Sequence, residues 1–259
     1  MRCTFHNREV FTMHDAKLAL SEEWDKTFPQ SSRVSHKKVT FHNRYGITLA
    51  ADMYTPENAS GRLAALAVAG PFGAVKEQAS GLYAQTMAER GFLTIAFDPS
   101  YTGESGGEPR YVASPDINTE DFCAAVDFLS VQDNADPGKI GIIGICGWGG
   151  MALNAAAIDT RIRATVTSTM YDMSRVTANG YFDAMTPDDR WKLRKVLNDQ
   201  RPPITGAARM PRQEACRRKR PKTRRSSLRI TWPTTSTAPT TAAPSTRTMA
   251  GTKPRPCPS

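Results

Sequence analysis

The chain lacks any apolar run long enough to cross a bilayer. Its N-terminus, Met1-Arg-Cys-Thr-Phe-His-Asn-Arg-Glu-Val-Phe11, also lacks the continuous apolar core of a signal peptide. These absences argue against a helical membrane span and predict a cytoplasmic protein. Cysteine is scarce: five in 259 residues, an odd number without paired spacing. That usage argues against a disulfide framework and suits a reducing compartment. Histidine is scarcer still, at His6, His14, His36 and His42 alone. From residue 201 to 259 there is no Val, Phe, Tyr or Asp. No helical or strand period survives there, so that stretch cannot bury enough apolar surface to offset its ordering entropy, and a disordered tail is expected.

The net charge of +9 conceals a division. Residues 201–259 carry 14 Lys/Arg against one acid, Glu214, whereas residues 1–200 carry 20 basic and 24 acidic groups, a net of −4. Three regions follow: a polar lead-in over 1–30, expected to be helical, an α/β core over 31–200, and a basic Pro/Thr/Arg-rich tail over 201–259.

Within the core, Lys38–His42 and Ile47–Tyr54 alternate as a strand pair turned at Asn43-Arg-Tyr-Gly46. Leu63–Ala69 reads as a buried strand ending in the loop Gly70–Lys76, followed by a helix over Gly81–Arg90 and a strand over Leu93–Phe97. Asn118 or Thr119, with acids nearby, is the expected N-cap of a helix running through Leu129. A strand before Cys146, a helix to about Ala157 and a strand over Ala164–Ser168 complete the series. Strands alternating with helices of this length predict a mainly parallel, doubly wound α/β sheet.

The richest stretch is Lys139-Ile-Gly-Ile-Ile-Gly-Ile-Cys146-Gly-Trp-Gly-Gly150. A β-branched run drives into a glycine cluster and then a helix, with a cysteine where strand becomes helix. This is the layout of a nucleophile elbow, whose strained turn needs small neighbours on both sides. The thiol would be activated by the helix N-terminus and a histidine base. The backbone N–H of Gly147 would form half an oxyanion hole, and the loop at Phe72 and Gly73 the other half. Two other readings stay open: a buried, inert cysteine, or a dinucleotide cradle in Gly147-Trp-Gly-Gly-Met-Ala152 with Asp172 as its acid.

Other candidates read more plainly. Cys123 lies on an apolar helix face and is expected to pack in the core. Asp98 ends a strand, where ligands bind in open α/β sheets, although capping the turn into Pro99 is its simpler role. Glu77 and Arg110 are loop charges expected to be solvated. In an elbow enzyme of this kind the acid and the histidine follow the nucleophile. Every histidine here precedes Cys146, so none serves as the base.

The run Lys38–Arg201 resembles the α/β-hydrolase superfamily, and specifically its dienelactone-hydrolase-like branch, where Gly-x-Cys-x-Gly-Gly replaces Gly-x-Ser-x-Gly. The resemblance is carried by Gly144, Cys146 and Gly149, by Gly70-Pro-Phe-Gly73, and by Phe97-Asp-Pro-Ser-Tyr-Thr-Gly-Glu-Ser-Gly-Gly-Glu-Pro109. Trp148 departs from it, standing where glycine is usual. The resemblance implies hydrolysis of an ester, lactone or related acyl bond in a small-molecule substrate, with Cys146 as nucleophile and no cofactor or metal. It also implies a sheet incomplete at its C-terminal edge, because the strands that bear acid and histidine have no counterpart here, and so a nearly inactive chain.

A slipped reading frame near residue 200 would account for the tail. With each codon begun one nucleotide earlier, residues 245–259 can spell Ile-Asn-Ser-Asn-Asp-Gly-Trp-Asn-Lys-Ala-Thr-Ala-Met-Pro, which reads as ordinary folded-protein text. The alternative is a natural basic arm. Arg217-Arg-Lys-Arg-Pro-Lys-Thr-Arg-Arg225 would bind nucleic acid non-specifically through charge, with Trp232 the one aromatic available for stacking.

Overall fold

β-Branched and aliphatic residues that are buried on both faces of a strand build the centre of a six-stranded sheet. A computed structural model describes residues 17–201, apart from 22, 171 and 200. Its strands are β1 (Val34–His42), β2 (Thr48–Pro56), β3 (Leu63–Ala69), β4 (Leu93–Phe97), β5 (Ala135–Ile145) and β6 (Ile162–Ser168). Their spatial order is β1-β2-β4-β3-β5-β6. β1 and β2 pair antiparallel, β2 meets β4 antiparallel, and β4, β3, β5 and β6 run parallel. The expected mainly parallel α/β sheet is therefore present, with an antiparallel hairpin at one side.

Helices cover both faces, as double winding requires. α1 (Ala79–Ala88) packs on one face against Tyr54, Val68, Ile143 and Ile145. α2 (Pro115–Ser130) and α3 (Trp148–Ile158) pack on the other, where Phe97, Phe122, Leu129 and Ile142 form the larger core. Ile142 and Ile143, adjacent in β5, thus serve opposite cores, the alternation expected of a strand buried on both sides. Two further helices, α4 (Met173–Asn179) and α5 (Pro187–Asp199), follow β6 and bury no residue. Among the described residues no helix is long and apolar enough to cross a membrane.

Three expectations need correction. Residues 17–21 and 23–30 form no helix; they run as an irregular strap, because their partners are remote in sequence. The Ser21 N–H donates to Glu104 (2.7 Å), the Thr27 N–H to the Glu77 carbonyl (2.9 Å), and the Lys26 ammonium lies 3.2 Å from Asp52. The cap of helix α2 is Ser114, four residues before Asn118: Pro115, with its pre-set φ, occupies the first turn behind it. Asn118 instead accepts from the Ser114 N–H (2.9 Å) and donates to the buried Asp121 (3.0 Å), which also receives Asn43 and Ser100. Glu77, expected at the surface, is buried. The tail, with its proposed frame slip and basic run, lies outside the described residues.

Candidate active site

The elbow is built by exclusion of side chains. At Gly144 a Cβ would collide with the Trp148 carbonyl oxygen and would stand 2.8 Å from the Ala152 Cβ, so only glycine lets α3 close onto β5. Cys146 follows with φ +60°, a left-handed conformation rare for a residue with a side chain. Two hydrogen bonds hold it there. Its N–H donates to the Ser168 carbonyl at the end of β6 (2.8 Å), and its own carbonyl accepts from the Gly149 N–H (3.0 Å). Cys146 is half-buried and packs beside the α1-face core.

Trp148 packs into the larger core. It is 3% exposed, and its indole lies on the opposite face of the sheet, 6.0 Å from the Phe122 ring and 5.9 Å from that of Phe72. The departure from glycine at this position is thus absorbed by the core.

The loop after β3 reaches the elbow directly. A Cβ at Gly147 would lie 2.6 Å from Cδ2 of Phe72, so the Phe72 ring covers that glycine. Gly70 and Gly73 both have positive φ and turn the loop toward the elbow. The structure therefore brings Cys146, Gly147 and Phe72 together. The same packing opposes the dinucleotide reading: the open faces of Gly147 and Gly149 are filled by Phe72 and Met170, where the fingerprint needs backbone bare for a pyrophosphate. Asp172 caps α4 instead, accepting from the Arg175 N–H (2.9 Å).

No described histidine reaches Cys146. His36 and His42 both sit in β1, four strands from β5 in the sheet order. At ~4.8 Å per strand that separation is about 19 Å. His36 is engaged by Asp52 (2.8 Å) and by the rings of Trp24 and Tyr54. His6 and His14 lie outside the described residues. Cys123 is buried in the core as expected, and desolvation pushes its thiol up to about 11.

An ionic cluster went unread in the sequence. Asp98, expected to cap a turn, is fully buried; it accepts the Lys76 N–H (2.8 Å), the Glu104 N–H (2.9 Å) and the Lys76 ammonium (3.1 Å). Lys76 also meets Glu104 (2.5 Å) and Glu77, and Lys38 meets Glu104 (2.7 Å). Burial alone would lower the Lys76 ammonium, but the carboxylates of Asp98, Glu104 and Glu77 outweigh it and hold its pKa above the usual value. Asp25, Glu77 and Glu104 come close enough to share a cation, yet Lys26, Lys38 and Lys76 already neutralise them. Arg110, expected to be solvated, is half-buried and ties the Ser105 and Gly103 carbonyls of the glycine-rich loop. Adjacent Lys76 and Glu77 were the only local hint of this cluster.

A family model described as X-Pro dipeptidyl-peptidase (S15 family) matches residues 45–245. The chain belongs to the S15 family. Over 186 residues this S15 chain is 67% identical to the uncharacterized protein PA2218 of Pseudomonas aeruginosa, a match covering 71% of this chain and 50% of that protein. It thus spans half the length of that relative. The crystal structure of PA2218 superposes with a TM-score of 0.73 at 64% identity, covering 74% of this chain and 60% of that one. The thiohydrolase aneE of Aspergillus aculeatus is 36% identical over 132 residues, 51% of this chain and 41% of the relative. The crystal structure of the α/β hydrolase GrgF from Penicillium sp. sh18 matches with a TM-score of 0.57 at 24% identity, covering 67% and 56% of the two chains. That last likeness is one of fold: this member of the S15 family shares its sheet architecture with an α/β hydrolase.

Proposed function

We propose that the chain carries the acyl-transfer half of a hydrolase acting on an ester, lactone or thioester, with Cys146 as the nucleophile. The observation that carries this reading is the conformation of Cys146: φ +60° at a strand-to-helix turn, with Gly144 two residues before it, Gly147 directly after it and the Phe72 loop against Gly147. The thiolate attacks the carbonyl carbon, and the developing oxyanion is held by the Gly147 N–H and the backbone at Phe72 and Gly73. The carbon–oxygen or carbon–sulfur bond breaks, and the leaving group takes the electron pair and a proton from water. Water then hydrolyses the acyl-thioester, returning the thiol. The thiohydrolase among the relatives supports a thioester as one substrate class, and the Gly-x-Cys-x-Gly-Gly pattern supports a site of the dienelactone-hydrolase kind.

Neither described histidine, His36 nor His42, is placed to serve as the base, since both lie four strands from β5. Acylation and deacylation by this chain are then expected to be slow. Elbow enzymes stripped of their base retain only what binding and the oxyanion hole supply. Incubation with p-nitrophenyl acetate tests this, read by intact mass and by peptide mapping. A single acetyl group on Cys146 with very slow turnover is expected. Cys146→Ala abolishes the adduct and Cys123→Ala leaves it intact. An unmodified Cys146 in the folded protein overturns the proposal.

A further inference from the structure

The residue that holds the elbow amide is itself held from the other side of the chain. Ser168 ends β6, pairs with Ile145, and accepts the Cys146 N–H through its carbonyl. β6 is the outermost described strand, and its Val166 is 53% exposed, so packing alone does little to fix the end of this strand. Its last side chain, however, is engaged: the Ser168 hydroxyl lies 2.9 Å from the hydroxyl of Tyr83, which projects from α1. Tyr83 has a firm base. The next residue, Ala84, is fully buried, and its carbonyl accepts the hydroxyl of the buried Thr94 on β4 (2.9 Å). A chain of contacts thus runs from β4 through α1 and Tyr83 to Ser168 and on to the elbow amide.

We propose that Tyr83 is a positioning residue for Cys146, acting through Ser168 to fix the strained elbow for attack. The inference rests on the nucleophilic reading of Cys146 and adds a second residue to it. A left-handed cysteine is strained, so its orientation depends on the partners of its backbone, Gly149 nearby and Ser168 across the sheet. Small misplacements of a reacting atom are costly: about 1 Å can lower a rate roughly a hundredfold. Tyr83 is 38% exposed, and removing its hydroxyl leaves its ring and the core beneath unchanged.

Tyr83→Phe, Ser168→Ala and the double variant separate positioning from ordinary stabilisation. Two quantities are read in each full-length protein: amide hydrogen exchange at Cys146, and the single-turnover rate of acetylation by p-nitrophenyl acetate. Each single variant is expected to speed exchange at the Cys146 amide and to slow acetylation by roughly tenfold. The double variant is expected to be no slower than either single one, and Ser168→Thr, which keeps the hydroxyl, to retain most of the rate. Tyr45→Phe, at an exposed tyrosine of the β1–β2 turn, is expected to change neither quantity. Unchanged exchange at Cys146 overturns the tie. Faster exchange with unchanged acetylation reduces the pair to a structural contact and overturns the positioning role. A wild-type protein that never acetylates Cys146 overturns the nucleophile itself, an outcome distinct from the other two.

Discussion

A Cβ at Gly144 would run into the Trp148 carbonyl oxygen and crowd the Gly149 Cα at 2.8 Å, and neither backbone atom can move without lifting α3 from the sheet. Gly144→Ala is therefore expected to destabilise the fold by about 2–3 kcal/mol, at the upper end of the range for overpacking a core. Gly150, six residues further along the same motif, is expected to behave oppositely. Nothing lies within 4 Å of its would-be Cβ, and it sits in the first turn of α3 with no positive φ. Gly150→Ala is expected to stabilise by roughly 0.5–1 kcal/mol through helix propensity. Urea unfolding of the two variants decides the matter, and equal effects would refute this account of the elbow. The need for bare glycine before Cys146 was legible in the sequence because it arises within a few residues. The fate of Trp148 was not, because its indole is received by Phe122 and Phe72, far away in the chain.

At the scale of elements, the strap formed by residues 17–21 and 23–30 is the part that local sequence did not encode. A polar stretch with helical composition gains nothing local from a helix when its anchors are Glu77, Asp52 and Glu104 on other elements. The strands β3 and β4, by contrast, coincide with their expected bounds, since a short β-branched or aliphatic run closed by turn residues carries its own signal. The strap's anchors make stability depend on pH with a definite sign. Burial alone would raise the Asp52 carboxyl, but the His36 hydrogen bond and the Lys26 and Lys76 charges hold it below its ordinary value. At Glu104 burial is likewise outweighed, there by the hydrogen bonds from Lys38, Lys76 and the Ser21 N–H. Groups lowered in the fold contribute in full above their unfolded pKa of about 4, and the contribution disappears as pH falls through the folded value. The contribution of these two groups to the unfolding free energy is expected to fall between pH 7 and pH 3, so Glu104→Gln should lose less stability than the parent over that interval. Lys76→Met removes a fully buried ammonium shared by Glu77, Asp98 and Glu104 and is expected to cost about 3–5 kcal/mol at pH 7, as breaking a buried pair does. A Lys76→Met protein as stable as the parent would show that the cluster is held by something else.

For the molecule as a whole, charge separates two behaviours that share one chain. The first 200 residues carry a net −4 and include the elbow, whereas 201–259 carry 14 basic groups against one acid. A mildly acidic body does not attract polyanions, so any affinity for DNA or heparin must come from the tail, chiefly Arg217-Arg-Lys-Arg-Pro-Lys-Thr-Arg-Arg225. Such binding is counterion release, and its logarithm falls linearly with the logarithm of salt concentration, by roughly 0.9 per neutralised phosphate on duplex DNA. Replacing Arg217, Arg218, Lys219 and Arg220 together with Gln is expected to reduce that slope by about 3–4 if all four groups meet phosphates. Acetylation of Cys146 should be unaffected, because the substitutions leave the elbow and its partners intact. The affinity should also be the same for duplexes of unrelated sequence, since contacts to phosphate carry no sequence information. A salt slope untouched by the four substitutions, or a preference for one DNA sequence, would mean that the tail recognises nucleic acid by more than its charge.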